Sequence, residues 1–386
     1  MNAFTYSYPV TVYFGEKAAE KNLPKELASA GKTVMLAYGG GAIKKNGIYQ
    51  ELTKILSDAG KQIVEFSGIM SNPTYKKVQE GARIAKENNV DFILAVGGGS
   101  VIDCCKIVSA QALTDEDIWE LEYGKSGRPT EFIPIGAIVT AFGTGAEMNN
   151  GAVITNTEKM MKSPLWGAFY RFAVLDPQYT MSMPLKQVIS GAFDSLSHSM
   201  ETYMGSPREI SYSDEINEAT QRNIIRNIRA TLADPADIQA RSELVWAAAM
   251  AENGMLKIGK VTDFQCHMLE HQLGAYTDCN HGQGLAVLHP VLYRHMMPEA
   301  NRQFARLAVE VWGSDPEGKT ETELAAAFVD HLAAFIKEIG LPTKLSEMNI
   351  TVDTDLKAVA RSTVLTGGCA KRFTADELYE ILKECL

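Results

Sequence analysis

Apolar residues in the first half of the chain fall into short blocks, separated by longer stretches in which they return every three or four positions. Thr11 to Phe14, Thr33 to Tyr38, Gln62 to Phe66, Phe92 to Val96, Phe132 to Val139, Ala152 to Thr155 and Phe172 to Leu175 read as strands, with turn residues such as Gly15, Gly39 and Gly97 behind them. Between them, Lys17 to Ala30, Ile48 to Ala59 and Tyr75 to Asn88 have helical spacing, and Pro24 predicts that the first of these starts anew near the proline. Strands alternating with helices of this length predict a parallel, three-layer α/β domain of Rossmann-like type over residues 1–185.

Beyond Pro184 the strand signal gives out. Lys186 to Tyr203, Ser211 to Ala230, Asp237 to Ile258 and Phe264 to Leu273 carry apolar positions at three- and four-residue spacing, and Leu356 to Thr363 and Ala375 to Leu386 end the chain as helices. Pro298, Pro316 and Pro342 punctuate the interval. The shift sets a domain boundary near residue 185, with an all-helical domain over 186–386. A cleft between two such domains is the expected active site.

Composition narrows the classes. With 386 residues, 46% apolar and 22% charged, the chain can bury a large core. No run of about 18 apolar residues predicts a membrane span, and Met1 to Val10 lacks the basic flank and apolar core of a secretory signal. A formal charge of −10 with no basic stretch argues against a nucleic-acid partner. Cys104, Cys105, Cys266, Cys279, Cys369 and Cys385 show no C-x-x-C pair and no scaffold density, so reduced thiols and a cytoplasmic location are expected.

Two stretches carry candidate chemistry. Gly97-Gly98-Gly99-Ser100 follows a buried strand and opens a helix, where bare backbone N–H groups and the helix dipole attract a pyrophosphate. It lacks the G-x-G-x-x-G spacing, and a tight strand-to-helix turn is the plainer account. Thr140 to Asn149, small residues with hydroxyls and an amide after another strand, suit the nicotinamide half of a dinucleotide or a merely polar loop. In the second half, Asp194 and His198 stand four residues apart, as do His267 and His271, and His281 follows before Gly282. On helices, such pairs share a face. Imidazoles with one carboxylate and no thiolate form a donor set for a divalent ion kept open to a substrate oxygen.

The joint order of Gly97-Gly98-Gly99-Ser100 with Asp103, the Thr140 to Asn149 loop, Phe172 to Pro177, Asp194-x-x-x-His198, and His267-x-x-x-His271 with His281-Gly282 resembles the iron-containing (group III) alcohol dehydrogenases. The likeness spans nearly the whole chain and is strongest to their butanol dehydrogenase and aldehyde reductase branch. It implies a dehydroquinate-synthase-like fold and metal ligands at Asp194, His198, His267 and His281. His271 then stands beside the nicotinamide, as the candidate proton relay. Cofactor contacts are implied at Gly39, Asn72, Gly98, Gly99, Ser100, Asp103, Thr140, Thr144, Asn149, Lys162, Tyr179 and Met183.

Many NAD-preferring members carry an aspartate where this chain has Gly39, so the resemblance implies NADP(H) in preference to NAD(H). It also implies ferrous iron, with zinc as the alternative ion, and a homodimer. The expected reaction passes hydride between NADP(H) and a small primary alcohol or aldehyde of butanol type. A glycerol-dehydrogenase-like polyol oxidoreductase, a dehydroquinate-synthase-like lyase and a non-catalytic cofactor or metal sensor are the alternatives. Two departures from the family pattern are Phe142, where a small residue is usual, and Ala146, where serine is common.

Overall fold

The computed structural model describes Met1–Leu386, and its contacts divide the chain into two units, Ser7–Pro184 and Leu185–Leu386 with Met1–Tyr6. In the first unit lie strands β1 (Thr11–Phe14), β2 (Thr33–Tyr38), β3 (Gln62–Phe66), β4 (Phe92–Gly97), β5 (Ile135–Val139), β6 (Gly151–Asn156), β7 (Met161–Trp166) and β8 (Phe172–Leu175). Six form one sheet in the order β1-β8-β5-β4-β2-β3, with every pairing parallel. Every residue of β2 and β4 is buried, which explains why they read as unbroken apolar runs, as central parallel strands do.

Helices α1 (Ala18–Ala28), α2 (Ala42–Lys45), α3 (Ile48–Asp58), α4 (Tyr75–Glu87), α5 (Gly99–Gln111) and α6 (Pro177–Thr180) belong to the same unit. Leu23 and Leu27 of α1 and Leu52 and Leu56 of α3 pack with Val34, Leu36, Leu94, Val96 and Val174 of the strands in one buried cluster. The ends of the central strands are level, because Tyr38 stands opposite Val96 and Gly97 opposite Val139. After β2 the chain runs outward to β3 and then returns to the other side of β2 as β4, so the strand order switches direction between β2 and β4. A crevice at such a switch point, beyond the carboxyl ends of the strands, is where open α/β sheets take ligands.

Several expectations for this unit need correction. α1 runs unbroken through Pro24, because its buried face of Ala18, Ala19, Leu23 and Leu27 outweighs the one hydrogen bond the proline removes. β5 is shorter than its apolar run and begins after Pro134. Met161–Trp166, which looks only basic in sequence, is β7, and it pairs antiparallel with β6 in a separate two-stranded sheet. With just one partner strand, β7 tolerates Pro164.

The second unit is helical: α7 (Leu185–Tyr203), α8 (Tyr212–Ala233), α9 (Ile238–Glu252), α10 (Gln265–Thr277), α11 (His281–Glu310), α12 (Glu321–Glu338), α13 (Leu356–Ser362) and α14 (Ala375–Glu384). Reciprocal capping boxes start α8 with Ser211 and Asp214, α12 with Thr320 and Glu323, and α14 with Thr374 and Glu377. α7 is buried without interruption from Ala192 to Tyr203, so it is the axis of this unit.

α11 holds both Pro290 and Pro298, and its only break from helical geometry is at Ala300 (φ −134°, ψ 20°). α11 is therefore two helices joined end to end across a kink, and Pro298 marks the junction as its place in the sequence predicts. The expected helix over Asp237 to Ile258 stops at Glu252, where Gly254 at φ 86° turns the chain into a short 3-10 segment. The first six residues, assigned by sequence to the α/β domain, group with the helical unit, and Asn2 N donates to Gly259 O at 3.0 Å. No helix is long and apolar enough to cross a membrane.

A π-helical turn, Glu120–Gly124, braces the β6–β7 hairpin. The Glu122 carboxylate accepts from Trp166 N at 2.9 and 3.1 Å, and Tyr123 donates to Pro164 O at 2.7 Å. Burial pushes the Glu122 carboxyl up to about 7, against the lowering effects of the Trp166 hydrogen bond and Arg128. Since the folded-state value lies above the ordinary 4.5, the stabilisation from this group is full below about 4.5 and is lost as pH rises through about 7. Thermal unfolding followed from pH 4.5 to 8 should show a fall in Tm that Glu122→Gln reduces; equal slopes in both proteins would show that Glu122 does not titrate there.

Candidate active site

In the helical unit four side chains from three helices meet. Asp194 and His198 lie one turn apart on α7, His267 is on the first turn of α10, and His281 is the first residue of α11. Asp194 Oδ1 is the common point: His267 Nε2 and His281 Nε2 are each 3.4 Å from it, and His198 Nε2 is 3.8 Å away. Asp194, His198 and His267 are buried, and His281 keeps some exposure. His271, one turn beyond His267 and also buried, has its ring 5.4 Å from that of His281 and 6.0 Å from that of His267.

Electrostatics prepares these groups. Burial opposes ionisation of Asp194, yet the imidazoles of His198, His281 and His267 around it hold its carboxyl well below the usual range. Burial pushes His198 down to about 4, against the raising effects of Asp194 and Glu252. His267 stands at about 10 and His281 is raised, because neighbouring carboxylates outweigh their burial.

These carboxylates stand behind the rings. His267 Nδ1 contacts Glu201, and His281 Nδ1 contacts Glu270. A carboxylate on Nδ1 leaves Nε2 as the donor atom facing Asp194 and fixes the plane of the ring. Glu201 is itself anchored, accepting from Cys266 N at 2.6 Å.

The donor set fits a divalent cation. Asp194 Oδ1 and His267 Nε2 are buried and have no hydrogen-bond partner, a costly state for a carboxylate and an imidazole unless something else satisfies them. Two donors each about 2.1 Å from a tetrahedral ion lie roughly 3.4 Å apart, close to the separations between Asp194 Oδ1 and the nitrogens of His267 and His281.

In the α/β unit, the chain leaving β2, β4 and β5 delivers Gly39, Gly98 and Thr140 to one edge of the sheet. The glycine turn is tight. A Cβ on Gly98 would lie 3.0 Å from the Ala141 side chain, and one on Gly99 would overlap the Thr144 side chain. Bare backbone at the start of α5 is therefore what this space accepts, which suits a phosphate. Thr140 N bonds Gly97 O at 2.9 Å, and Thr144 Oγ1 accepts from Ala146 N at 3.2 Å, so loop and cradle are tied together.

Asp103 and Asn149 meet through Lys106. The fully buried Lys106 Nζ reaches Asp103 Oδ1 at 3.3 Å, Asn149 Oδ1 at 3.1 Å and Gly151 O at 2.5 Å, while Val153 N donates to Asp103 Oδ2 at 2.9 Å. Ser100 lies in the first turn of α5, Asn72 adopts a left-handed backbone before Pro73, and Lys162 is buried on β7 opposite Thr155. Tyr179 belongs to the apolar cluster beneath the sheet and donates its hydroxyl to Glu51 at 2.6 Å, and Met183 is half-buried just beyond α6. Phe142 is buried rather than turned to solvent, as is Ala146.

Sequence reasoning missed Glu201, Glu270 and Lys106. For Glu201 a signal existed: Asp194, His198 and Glu201 recur at helical spacing and share one face of α7. Glu270 sits between His267 and His271 in a buried stretch of α10. Lys106 shows no pattern in sequence, since an isolated lysine usually reads as a solvated one.

Comparisons with known proteins point the same way. The family model for iron-containing alcohol dehydrogenase matches residues 9–177, and that for the C-terminal part of the Fe-containing alcohol dehydrogenase family matches residues 188–386. The chain is 36% identical over 391 residues to NADH-dependent butanol dehydrogenase A of Clostridium acetobutylicum, covering 100% of both. It is 32% identical to the NADPH-dependent aldehyde reductase YqhD of Escherichia coli, covering 91% of this chain and 90% of that one. Among solved structures, NADH-dependent butanol dehydrogenase A of Thermotoga maritima superposes with a TM-score of 0.93 at 32% identity, covering 100% of this chain and 99% of the other. With both halves matched and relatives of this identity along its full length, the chain belongs to the iron-containing alcohol dehydrogenase family and is an oxidoreductase.

Proposed function

We propose that this protein interconverts a small primary alcohol and its aldehyde, of butanol size, with NADP(H) as the preferred cofactor. The observation that carries the reading is the approach of three imidazole Nε2 atoms to one buried carboxylate oxygen, that of Asp194. Asp194, His198, His267 and His281 would hold a divalent ion, ferrous iron by the chemistry that names the family. When bound, that ion supplies Lewis acidity toward the substrate oxygen, and the nicotinamide supplies or accepts the hydride.

The chain's own residues do the rest. Glu201 and Glu270 hold Nδ1 of His267 and His281 and so aim Nε2 of each ring at Asp194, and a buried carboxylate holds that orientation without reorganisation. His271, beside two of these rings and buried, exchanges the hydroxyl proton at an imidazole nitrogen as the oxygen changes between alcohol and aldehyde. In the α/β unit, Gly98, Gly99 and Ser100 receive the pyrophosphate on backbone N–H groups, and Lys106 holds Asp103 and Asn149 in one network beside them.

The preference for NADP(H) rests on Gly39 and its neighbours. Glycine there puts no carboxylate at the adenosine ribose, and a cation is close by in sequence and space: Lys44 of α2 lies over the rings of Tyr38 and Tyr49. The acid of this corner, Glu65, is already engaged by the Tyr38 and Tyr49 hydroxyls and by Lys44 at 3.3 Å. Its charge is thereby offset where a 2′-phosphate would add its own.

Three measurements test the reading. With butanal as substrate, kcat/KM for NADPH should exceed that for NADH by about tenfold or more, a difference of about 1.4 kcal/mol; a ratio favouring NADH rejects the cofactor preference and leaves the reaction standing. His271→Ala should lower kcat on the order of 100-fold with metal content per subunit unchanged, and loss of metal in that variant would reassign His271 to the ion. Glu201→Gln should weaken cation binding by roughly 10- to 100-fold in a chelator competition, and an unaltered dissociation constant would remove Glu201 from the site.

A further inference from the structure

The three imidazoles around Asp194 are not held alike. His267 and His281 each rest on a buried carboxylate through Nδ1. His198 does not: its Nδ1 is buried without a hydrogen-bond partner. No hydrogen bond at Nδ1 fixes rotation of that ring, whose charged neighbours are Asp194 and the buried Glu252, although a ligand that turns by a few tens of degrees no longer aims its Nε2 at the ion.

Two aromatic rings stack beside that imidazole. The His198, His267 and Phe264 rings form a triangle with centroids 4.4, 4.9 and 5.8 Å apart, and His198 lies within 17° of parallel to His267 and 28° of parallel to Phe264. Phe264 is placed there at a cost. It occupies the residue before α10 with φ 51° and ψ 23°, a left-handed conformation that is rare for a bulky side chain and tends to mark functional sites. The Lys257 ammonium sits 5.0 Å from the centroid of the Phe264 ring, and Lys257 is tied in turn to Glu252 at 2.7 Å.

We propose that Phe264 is the positioning residue of His198, its ring doing by stacking what Glu201 and Glu270 do for the other two imidazoles by hydrogen bonding. The inference rests on the reading of His198 as a metal ligand. Offset stacking restrains the tilt of the imidazole without drawing on Nδ1, so His198 is the arm of the site held by ring contacts, with His267 on one hand and Phe264, the member of the triangle that is not itself a ligand, on the other. Leucine at position 264 keeps apolar bulk and removes the flat face; tryptophan restores a face.

The test uses the full-length protein freed of metal and titrated with cobalt(II), with affinity read by chelator competition and ligand geometry by the visible d–d bands. His198→Ala, Phe264→Leu and Phe264→Trp are compared with the parent, and the Tm of each metal-free protein is recorded. Phe264→Leu should raise the cobalt dissociation constant about tenfold and alter the band pattern with little change in metal-free Tm, and Phe264→Trp should restore both readouts. Cobalt affinity and bands in Phe264→Leu identical to the parent's overturn the proposal, as does a loss that tracks metal-free Tm and is not rescued by tryptophan. An unchanged affinity in His198→Ala instead overturns the ligand reading on which it stands.

Discussion

The buried carboxylate of Asp194 is the constraint around which the helical unit is organised. An isolated ionised carboxylate in a protein interior costs on the order of several kcal/mol even after relaxation, and this one is approached by three imidazoles. Meeting that requirement needs donors from α7, α10 and α11 at one point, which fixes how these three helices pack. It also explains why polar residues recur along the buried length of α7, where an ordinary core helix would carry leucine and alanine. The carboxylates of Glu201 and Glu270 extend the same logic outward, each buried charge answered by a ring that faces the centre.

The α/β unit meets a different demand. Its strands end level, its order switches between β2 and β4, and the glycines after β4 lie where side chains would collide with the loop after β5. Charge plays its part below that surface. Lys106 is fully buried, and its ammonium is satisfied by Asp103, Asn149 and a backbone carbonyl, so α5, the loop and β6 are joined by one cation. In both units the atoms expected to meet small molecules are backed by a fully buried charged group.

How much of this was legible depended on whether a residue's environment leaves a mark on its neighbours in sequence. β2 and β4 are buried on both faces, and that shows as unbroken apolar runs. β7 has one partner strand and a polar, proline-containing sequence, so its ladder comes from β6 and from Glu122 rather than from its own pattern. Pro24 looks like a break until the packing that overrides it is known, whereas Pro298 does stand at one. The histidines and Asp194 stood out because histidine is scarce and i,i+4 spacing is a periodic signal. Glu270 and Lys106 did not, since a buried charge and a solvated one are written with the same letter.

The contact between Gly99 and Thr144 has a consequence for how such a chain can change. Thr144 occupies the room a side chain at position 99 would need, although the two are 45 residues apart by number and sit on different connections. Enlarging the first requires that the second has already shrunk, so change at this corner is ordered: a smaller residue at position 144 comes before or with any side chain at position 99.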